Sequence, residues 1–403
     1  MLKHIFLNCP YFRFKILNKD RKSLIYNQNI FLTSTPTLNG ISMNNFKNIF
    51  SLALVLIVMI IIIQKRNNNP SIGYDQFNNL LVQPGEKHFI DLKQLTFSGE
   101  NAEAYFSSDS KSLIFQSHDG DSLCDQIYIM DIETRETKMV STGAGVTTCS
   151  FFEYPDCKNF IYSSTHLGSK KCPPKPDYRS GYVWKLYQDY DIFKSSIDGS
   201  NIIQLTESDN YDAEGTVAFD GSKIIYTSMV SGDLDLWTMD LNGFNKKQLT
   251  NRLGYDGGAF YSPDVKKIVW RAYYPETEKE INDYNNLLAE NSIRPMALQI
   301  WVMNSDGSQK TQITKNKSAN FGPYFFPDGE RIIFSSNMHD PKGRDFDLYS
   351  IDLNGENIER LTFYDGFDGF PMFSPDGKYL VFASNRNQIK KGDTNLFICE
   401  WRN

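Results

Sequence analysis

One phrase, a tight turn followed by an apolar strand, recurs six times along the chain and limits what it can fold into. The phrase is intact at Ser374-Pro375-Asp376-Gly377-Lys378, and degraded copies begin at Ser107, Tyr154, Phe219, Ser262 and Phe326. Proline fixes the first turn position, aspartate bonds the backbone ahead of it and glycine accepts a positive φ, so each copy predicts a hairpin turn. A repeat of this length indicates that the chain is built from similar structural units.

Each copy of the turn leads into a run of β-branched and aromatic residues that suits a buried strand. These runs are Leu113–Phe115, Phe160–Tyr162, Ile224–Tyr226, Ile268–Trp270, Ile332–Phe334 and Leu380–Phe382. A second strand pair follows, with an Asp-Gly or Asn-Gly turn in four units, at Asp198, Asn242, Asp306 and Asn354. Each unit therefore predicts a four-stranded sheet.

A Leu-Thr pair or a variant of it marks the end of each unit. These pairs begin at Leu95, Val140, Leu205, Leu249, Ile313 and Leu361, at steps of 45, 65, 44, 64 and 48 residues. The two longer steps predict insertions, which we place at Thr165–Asp189 and Tyr274–Ala297. Both fall between the second and third strands of their units.

The last unit offers a third strand near Asn395–Ile398 but no fourth strand after it. The segment His88–Thr96 has the fourth-strand pattern and no unit of its own. Pairing the two would close a ring and remove an exposed sheet edge. The sequence therefore predicts an all-β, six-bladed β-propeller of four-stranded blades over residues 88–403, closed by its N-terminal strand.

These repeats give residues 88–403 a resemblance to the TolB-like, WD-like repeat family of propellers. The resemblance implies a fold more than a function, because such propellers serve as binding platforms, as domains of oligopeptidases and as partners of zinc aminopeptidases. Only a predicted linker, residues 65–87, lies between the ring and the apolar segment before it. The α/β domain that precedes the propeller in TolB is therefore not expected, which argues against a Tol-Pal role.

An apolar segment precedes the predicted propeller. Residues 48–64 carry no charge and, although shorter than the roughly 20 residues that cross a bilayer upright, predict a transmembrane anchor or signal-anchor helix. Residues 1–47 hold seven Lys or Arg and one acid, which favours an inner-membrane protein with its N-terminus in the cytoplasm and its propeller in the periplasm or otherwise outside. Met43 offers an alternative start of translation, which would leave residues 1–42 untranslated.

The charge of the remaining chain restricts its partners. From residue 67 onward there are 47 Asp and Glu against 33 Lys and Arg, and such a body repels a phosphate backbone. We therefore expect no nucleic-acid binding. We expect a monomeric propeller that binds a protein or peptide partner in the cell envelope and has no cofactor.

The site is predicted on one face of the ring, called the upper face, where the links between blades and both insertions converge. Loops on a rigid scaffold usually carry function. The predicted ligand-binding residues at the channel mouth are Tyr211, Asp212, Glu214, Tyr255, Asp256, Arg271, Asn320, Asp368, His166 and His339. For any one of them a structural role is the alternative: aspartate capping a turn, or Arg271 paired with Asp256.

Neither a metal site nor a catalytic nucleophile is predicted. His118, His166 and His339 follow second strands in three different blades and lack the spacing of a metal motif, so solvated histidines are favoured. The leading hypothesis is a non-catalytic binding or scaffold protein for a protein, peptide or small polar ligand. The alternative is a hydrolase, or the propeller partner of a peptidase system, using carboxylates such as Asp212, Glu214 and Asp256.

The pairing of the cysteines indicates whether the propeller lies in an oxidising compartment. Cys149 and Cys157 stand at opposite ends of one strand, about 26 Å apart at 3.3 Å per residue, which is too far for a disulfide. Cys172, in the long loop that returns over the start of its blade, is predicted to pair with Cys149. Cys124, in a loop of the adjacent blade, is the competing partner, and reduced thiols throughout are the third alternative.

Overall fold

The structure, a computed structural model, describes residues 81–120, 124–174, 181–340 and 342–403, together with two short strands near the N-terminus. These strands, β1 (Asn8–Cys9) and β2 (Phe12–Arg13), pair antiparallel. The predicted anchor at residues 48–64, the alternative start at Met43 and the linker up to residue 80 lie outside the described residues. Within the described residues, no helix has the length and apolarity needed to span a bilayer.

Six four-stranded antiparallel sheets follow one another in the described chain between residue 89 and residue 401. Blade 1 contains β4 (Glu100–Phe106), β5 (Ser112–His118), β6 (Gln126–Asp131) and β7 (Thr137–Met139). Blade 2 contains β8 (Thr147–Phe152), β9 (Asn159–Ser164), β11 (Asp191–Ser196) and β12 (Ile203–Gln204). Blade 3 contains β13 (Asp212–Val217), β14 (Ile224–Ser228), β15 (Asp235–Met239) and β16 (Lys247–Gln248).

The remaining blades repeat the same order. Blade 4 contains β17 (Tyr255–Tyr261), β18 (Lys267–Tyr273), β20 (Gln299–Asn304) and β21 (Thr311–Gln312). Blade 5 contains β22 (Asn320–Phe325), β23 (Arg331–Ser336), β24 (Asp347–Asp352) and β25 (Glu359–Arg360). Blade 6 contains β26 (Asp368–Phe373), β27 (Tyr379–Ser384), β28 (Asn395–Trp401) and β3 (Phe89–Gln94). The prediction of six four-stranded blades is confirmed.

The ring is closed by the N-terminal strand, as predicted. Strand β3 pairs antiparallel with β28, with Gln94 opposite Phe397 and Phe89 opposite Trp401. Residues 81–87, expected to belong to a linker, pack against blade 6. Glu86 is buried there and forms a 3.0 Å ion pair with Arg386.

The core lies between neighbouring blades, where the second strands contribute almost fully buried side chains such as Phe115, Phe334 and Trp270. Contacts from blade to blade add polar bonds. The hydroxyl of Tyr154 in blade 2, for example, donates a 2.6 Å hydrogen bond to the carbonyl of Phe106 in blade 1. Burial of apolar side chains on both faces of each sheet is the main stabilising contribution.

The Leu-Thr marks have a structural explanation. In every blade the threonine or serine hydroxyl donates to a side-chain oxygen at the start of the third strand. The pairs are Thr96–Asn395, Ser141–Gln126, Thr206–Asp191, Thr250–Asp235, Thr314–Gln299 and Thr362–Asp347. The repeated hydroxyl therefore ties the fourth strand to the third.

The two insertions meet each other. Residues of the first form β10 (Trp184–Lys185), and the second forms helix α1 (Glu278–Ala289) followed by β19 (Ser292–Ile293). Strand β10 pairs with β19. The helix was not predicted, although Thr277 and Glu280 form the capping box that starts it, a signal that the sequence contains.

The predicted disulfide between Cys149 and Cys172 is wrong. Cys172 pairs with Cys124, the competing partner, across 48 residues of sequence, and Cys149 is a free thiol. The physical reason is the direction of Cys149, which lines the central channel beside Glu103. Cys172 therefore meets the loop of the adjacent blade instead.

Candidate functional site

A β-bulge interrupts the innermost strand of every blade at the same position. At each bulge one residue adopts a positive φ: Glu103, Cys149, Glu214, Gly258, Gly322 and Phe370. The strand register shifts at each of these positions. All six residues line one small cavity of about 30 Å³ in the channel, so the bulges bring one residue from each blade to the axis of the ring.

Aromatic rings fill the channel toward the lower face. Tyr105 of blade 1 contacts Phe260 of blade 4 with a ring separation of 5.5 Å, although these blades stand opposite each other. Phe151 and Tyr324 pack against the same pair, at 5.3 Å from Tyr105 and 5.2 Å from Phe260 respectively. The small cavity therefore has an aromatic floor, and its access is from the upper face.

A buried ion pair stands at the level of the bulges. Arg271 Nη2 donates to Glu214 Oε1 at 2.7 Å, and both side chains are about nine-tenths buried. Glu214 also accepts from the Tyr255 hydroxyl at 2.9 Å, from the Gly258 amide at 2.7 Å and from Thr227 Oγ1 at 3.0 Å. These donors occupy the roughly four lone-pair positions of the carboxylate.

The conformation of blade 4 makes room for this arginine. A Cβ atom at Gly258 would lie 2.6 Å from Arg271 Nη1, so a larger residue there would displace the guanidinium. From the first insertion, the Trp184 ring lies over the guanidinium with 5.2 Å from Cζ to the ring centroid. The arginine is thus held between a carboxylate, the Tyr255 hydroxyl and an aromatic face.

Above this level the channel opens into a cavity of about 1240 Å³. Its aromatic lining includes Tyr182, Trp184, Tyr187, Tyr211, Tyr255, Phe321, Phe346, Phe367 and Phe370. Its ionisable lining comprises Glu100, Glu103, Asp125, Glu214, Asp340, His118, Lys185, Arg271, Lys317 and Lys342. The cavity thus combines flat apolar surfaces with charges of both signs.

Glu103 stands at the bottom of this cavity. Burial raises the pKa of its carboxyl group to about 7, an effect that the nearby Arg271 opposes and Glu214 reinforces. The Cys149 thiol lines the same small cavity beside it. Burial also raises the pKa of Cys149 well above its usual value, so this thiol stays protonated and is a poor nucleophile.

His118 carries a positive charge in the upper part of the cavity. Its Nδ1 atom lies 2.6 Å from Asp125 Oδ1, and its Nε2 atom lies 3.6 Å from Glu100 Oε1. The hydrogen bond to Asp125 and the ion pair with Glu100 raise the pKa of His118 to about 10. The imidazolium is therefore the form present at neutral pH.

Four predicted mouth residues are placed differently from the expectation. Asp212, Asp256, Asn320 and Asp368 are at most 3 % exposed and do not line either cavity. Each bonds to neighbouring protein groups: Asp212 to Ser208, Asp256 to Trp270 and Tyr274, Asn320 to Ser336, and Asp368 to Arg386. The structure therefore places them as anchors of the inner strands, which corrects their predicted position.

Four other predicted residues do come together in the cavity: Tyr211, Glu214, Tyr255 and Arg271. The alternative pairing of Arg271 with Asp256 is wrong, because the guanidinium bonds to Glu214 and Tyr255. Asp256 is instead held by Trp270 and Tyr274, on the other side of its strand.

The two predicted histidines lie outside the cavity lining. His166 packs on Phe193 with 4.3 Å between ring centroids, and burial lowers its pKa. His339 Nε2 lies 3.0 Å from Asp345 and 3.3 Å from Asp347. Ligand atoms of these three residues lie within 4.8 Å of one another, but Arg360 already pairs with Asp347.

Two important residues of the site were missed from the sequence. Glu103 could have been found by aligning the blades, because Asn101-Ala102-Glu103 in blade 1 matches Asp212-Ala213-Glu214 in blade 3. Trp184 had no such signal, since it lies in an insertion whose sequence is not repeated in the other blades.

Sequence comparison identifies a related repeat. Residues 283–397 match the family model described as the TolB beta propeller domain. An uncharacterized protein from Agrobacterium fabrum is 32 % identical over 83 residues, which cover 20 % of this chain and 28 % of that protein. The chain therefore spans less than a third of the length of this curated relative.

Solved structures share the fold at low sequence identity. A putative TolB from Agrobacterium tumefaciens matches with a TM-score of 0.51 and 19 % identity, covering 76 % of this chain and 91 % of that one. An oligogalacturonate lyase in complex with manganese matches with a TM-score of 0.50 and 14 % identity, covering 77 % and 80 %. TolB from Acinetobacter baumannii gives 0.48 and 15 %, covering 66 % of this chain and 55 % of that protein.

At these identities the two structures with TM-scores of 0.51 and 0.50 show a shared fold and nothing more. The family match falls on a region that begins in the helix of blade 4 and ends in the third strand of blade 6. The six repeats, the six blades and this match agree with one another. The described chain is a six-bladed β-propeller, and its residues 283–397 match the TolB beta propeller domain.

Proposed function

We propose that this protein binds a protein, peptide or small polar ligand in the upper-face cavity, as a membrane-tethered binding or scaffold protein of the cell envelope. The observation that carries the proposal is the cavity of about 1240 Å³, open on the upper face and floored by aromatic rings. Ligand sites typically measure about 300–1000 Å³ and combine apolar walls with a few fixed polar groups. A cavity somewhat above that range suits a peptide segment.

The rigidity of the cavity supports a binding role. Its polar groups are held before any ligand arrives: Arg271 by Glu214 and Tyr255, and His118 by Asp125. Groups fixed in this way lose little conformational entropy when a ligand binds. The paired insertions add Trp184 as a wall that the propeller itself does not supply.

The proposed location outside the cytoplasm has two supports. Disulfides persist in oxidising compartments, and Cys124 pairs with Cys172. The apolar run at residues 48–64, preceded by a basic segment, is typical of an anchor that leaves the following domain outside. Protease accessibility of the propeller in spheroplasts would test this location.

Affinity capture from detergent-solubilised membranes tests the binding role. The variant Ala319→Trp places a bulky ring in the cavity wall, whereas Ala289→Trp places the same ring at the exposed end of helix α1, outside the lining. We expect a partner that wild type and Ala289→Trp retain and Ala319→Trp loses. Equal capture by both variants would contradict the use of the cavity.

The alternative is a hydrolase, or the propeller partner of a peptidase system. One observation favours chemistry: Glu103, at the bottom of the cavity, has a pKa raised to about 7, in the range that suits a general acid or base. Screening against aminopeptidase and esterase substrates, with and without zinc or calcium, tests this role. Activity that disappears in Glu103→Gln would support a hydrolase, and inactivity throughout would favour binding.

A further inference from the structure

We infer that the bottom of the upper-face cavity recognises the ammonium group of a ligand, with the Glu103 carboxylate as its contact. This inference rests on the proposed binding function and specifies the chemistry of the ligand. The ammonium group is that of a peptide amino terminus or of a lysine side chain, which share the same donor chemistry.

The first argument is the hydrogen-bonding capacity of the two carboxylates in the small cavity. Glu214 is saturated, because Arg271, Tyr255, Thr227 and the Gly258 amide all donate to it. In the described part of the chain, no hydrogen bond reaches the Glu103 carboxylate, and the thiol of Cys149 beside it is a weak donor. Glu103 therefore keeps acceptor capacity for a ligand with several donors, as an ammonium group has.

The second argument is size. The small cavity of about 30 Å³ is continuous in its lining with the large one, since Glu103, Cys149, Glu214 and Arg271 line both. One water-sized probe needs roughly 10–15 Å³, so the space suits about two such groups. A terminal ammonium group fits this volume, whereas a bulkier cationic group would remain in the wide part above.

The third argument is the wall around the carboxylate. Tyr105, Phe260 and Phe370 line the small cavity together with Glu103. Aromatic faces attract cations, and this attraction grows when the cation is removed from water.

The fourth argument is that Arg271 and His118, two cations of the cavity lining, already have carboxylate partners. Arg271 is paired with Glu214, and His118 is paired with Asp125 and Glu100. An incoming ammonium group would give the Glu103 carboxylate a cation of its own.

Peptide capture tests the inference. Purified protein is immobilised and exposed to randomised pentapeptides without lysine, as a mixture with free amino termini and as the same mixture acetylated. A third mixture is acetylated but contains one lysine. We expect free-amine peptides to be enriched about tenfold or more over the lysine-free acetylated ones, a difference in binding free energy of about 1.4 kcal/mol. The third mixture shows whether a lysine side chain can substitute for the terminus.

The variant Glu103→Gln keeps the size of the side chain and removes its charge, so it should abolish this enrichment. The matched control is Glu330→Gln, an exposed glutamate in a lower-face turn, which should leave the enrichment unchanged. Thermal unfolding of both variants verifies that they are folded. Equal recovery of all mixtures by wild type, or enrichment that survives in Glu103→Gln, would overturn the inference.

The dependence on pH adds a second readout. The pKa of Glu103 is about 7. The charged or titratable groups around it are Arg271, Glu214, Cys149, Tyr105 and Asp125. Capture of free-amine peptides should therefore fall as the pH is lowered from about 7.5 to about 6, because Glu103 takes up a proton. His118, with a pKa near 10, stays charged throughout. Peptide capture by wild type that does not change with pH would contradict the role of Glu103. The capture of membrane partners by Ala319→Trp tests a different point, the use of the cavity itself.

Discussion

The hydroxyl of Thr96 donates a 3.1 Å hydrogen bond to the side-chain oxygen of Asn395, which lies 299 residues further along the chain. The same hydroxyl accepts a 2.9 Å bond from the amide of Leu396. In blade 5, Thr362 bonds in the same way to Asp347 and to the amide of Leu348, but within one blade. The hydrogen bonds that join the fourth strand to the third within blade 5 therefore also close the ring in blade 6, where the fourth strand comes from the N-terminal side of the propeller.

This equivalence predicts that Thr96→Val and Thr362→Val destabilise the protein to a similar extent. Each change leaves a backbone amide and a side-chain oxygen without their partner, at a cost of about 1–3 kcal/mol. Equilibrium urea unfolding measures the effect. Thr311→Val, at an exposed threonine of blade 4, is the control and should change the unfolding free energy by less than about 0.5 kcal/mol. A neutral Thr96→Val beside a destabilised Thr362→Val would show that closure does not depend on this bond.

A second prediction concerns the ion pair at the centre of the channel. Arg271→Met leaves the Glu214 carboxylate buried without its cation, and breaking such a pair typically costs about 3–5 kcal/mol. Adding Glu214→Gln should recover part of the loss, because the uncompensated charge is then removed. A double-mutant cycle by urea unfolding measures this coupling. Lys378→Met breaks the exposed pair with Asp376 and should cost at most about 1 kcal/mol.

The fold could be predicted from the sequence because its signals are local and occur six times. A turn such as Ser374–Lys378, an apolar strand and a terminal threonine each depend on nearby residues. Closure by β3 followed from counting strands. No comparable repetition exists for the insertions, and only the capping box at Thr277 and Glu280 indicated a helix in one of them.

The site was only partly predictable because backbone bulges decide which side chains reach the channel. Regular alternation would give Asp212 and Glu214 the same face of β13. A bulge between Ala213 and Thr216 interrupts the alternation; Glu214 lines the cavity and Asp212 is buried beside Ser208. The equivalent bulge in blade 2 directs Cys149 into the channel. For this reason the predicted disulfide between Cys149 and Cys172 is wrong.

A third prediction follows from the disulfide that the structure contains. Peptide mapping without reductant should recover a cross-linked pair containing Cys124 and Cys172. Cys399 is buried and should be alkylated only after denaturation. Replacing both paired cysteines by serine should lower the free energy of unfolding by about 4 kcal/mol on the chain-entropy model, given a separation of 48 residues. Recovery of a cross-link between Cys149 and Cys172 would contradict the structure.

The carboxyl group of Asp256 is completely buried in blade 4. One of its oxygens, Oδ1, accepts 2.6 Å hydrogen bonds from Trp270 Nε1 and from the Tyr274 hydroxyl. The other, Oδ2, has no partner among the described residues. Burial raises the pKa of this group to about 7, and the two hydrogen bonds oppose that rise only in part.

This environment predicts a dependence of stability on pH that Asp256→Asn removes. Because the pKa in the folded state, about 7, exceeds the ordinary unfolded value near 3.9, the folded protein binds the extra proton between these values. The associated stability is complete below about pH 4 and is lost as the pH rises through about 7. Asparagine keeps an acceptor and cannot ionise, so the free energy of unfolding of wild type should fall by up to about 1.4 kcal/mol per pH unit relative to Asp256→Asn over this window.

Urea unfolding of wild type and Asp256→Asn at about pH 5 and pH 7.5 measures the difference. The control is Asp264→Asn, because the carboxyl group of Asp264 has a pKa of about 2 and stays ionised at both pH values. An unchanged difference between wild type and Asp256→Asn at the two pH values would show that the buried carboxyl group does not titrate in this range.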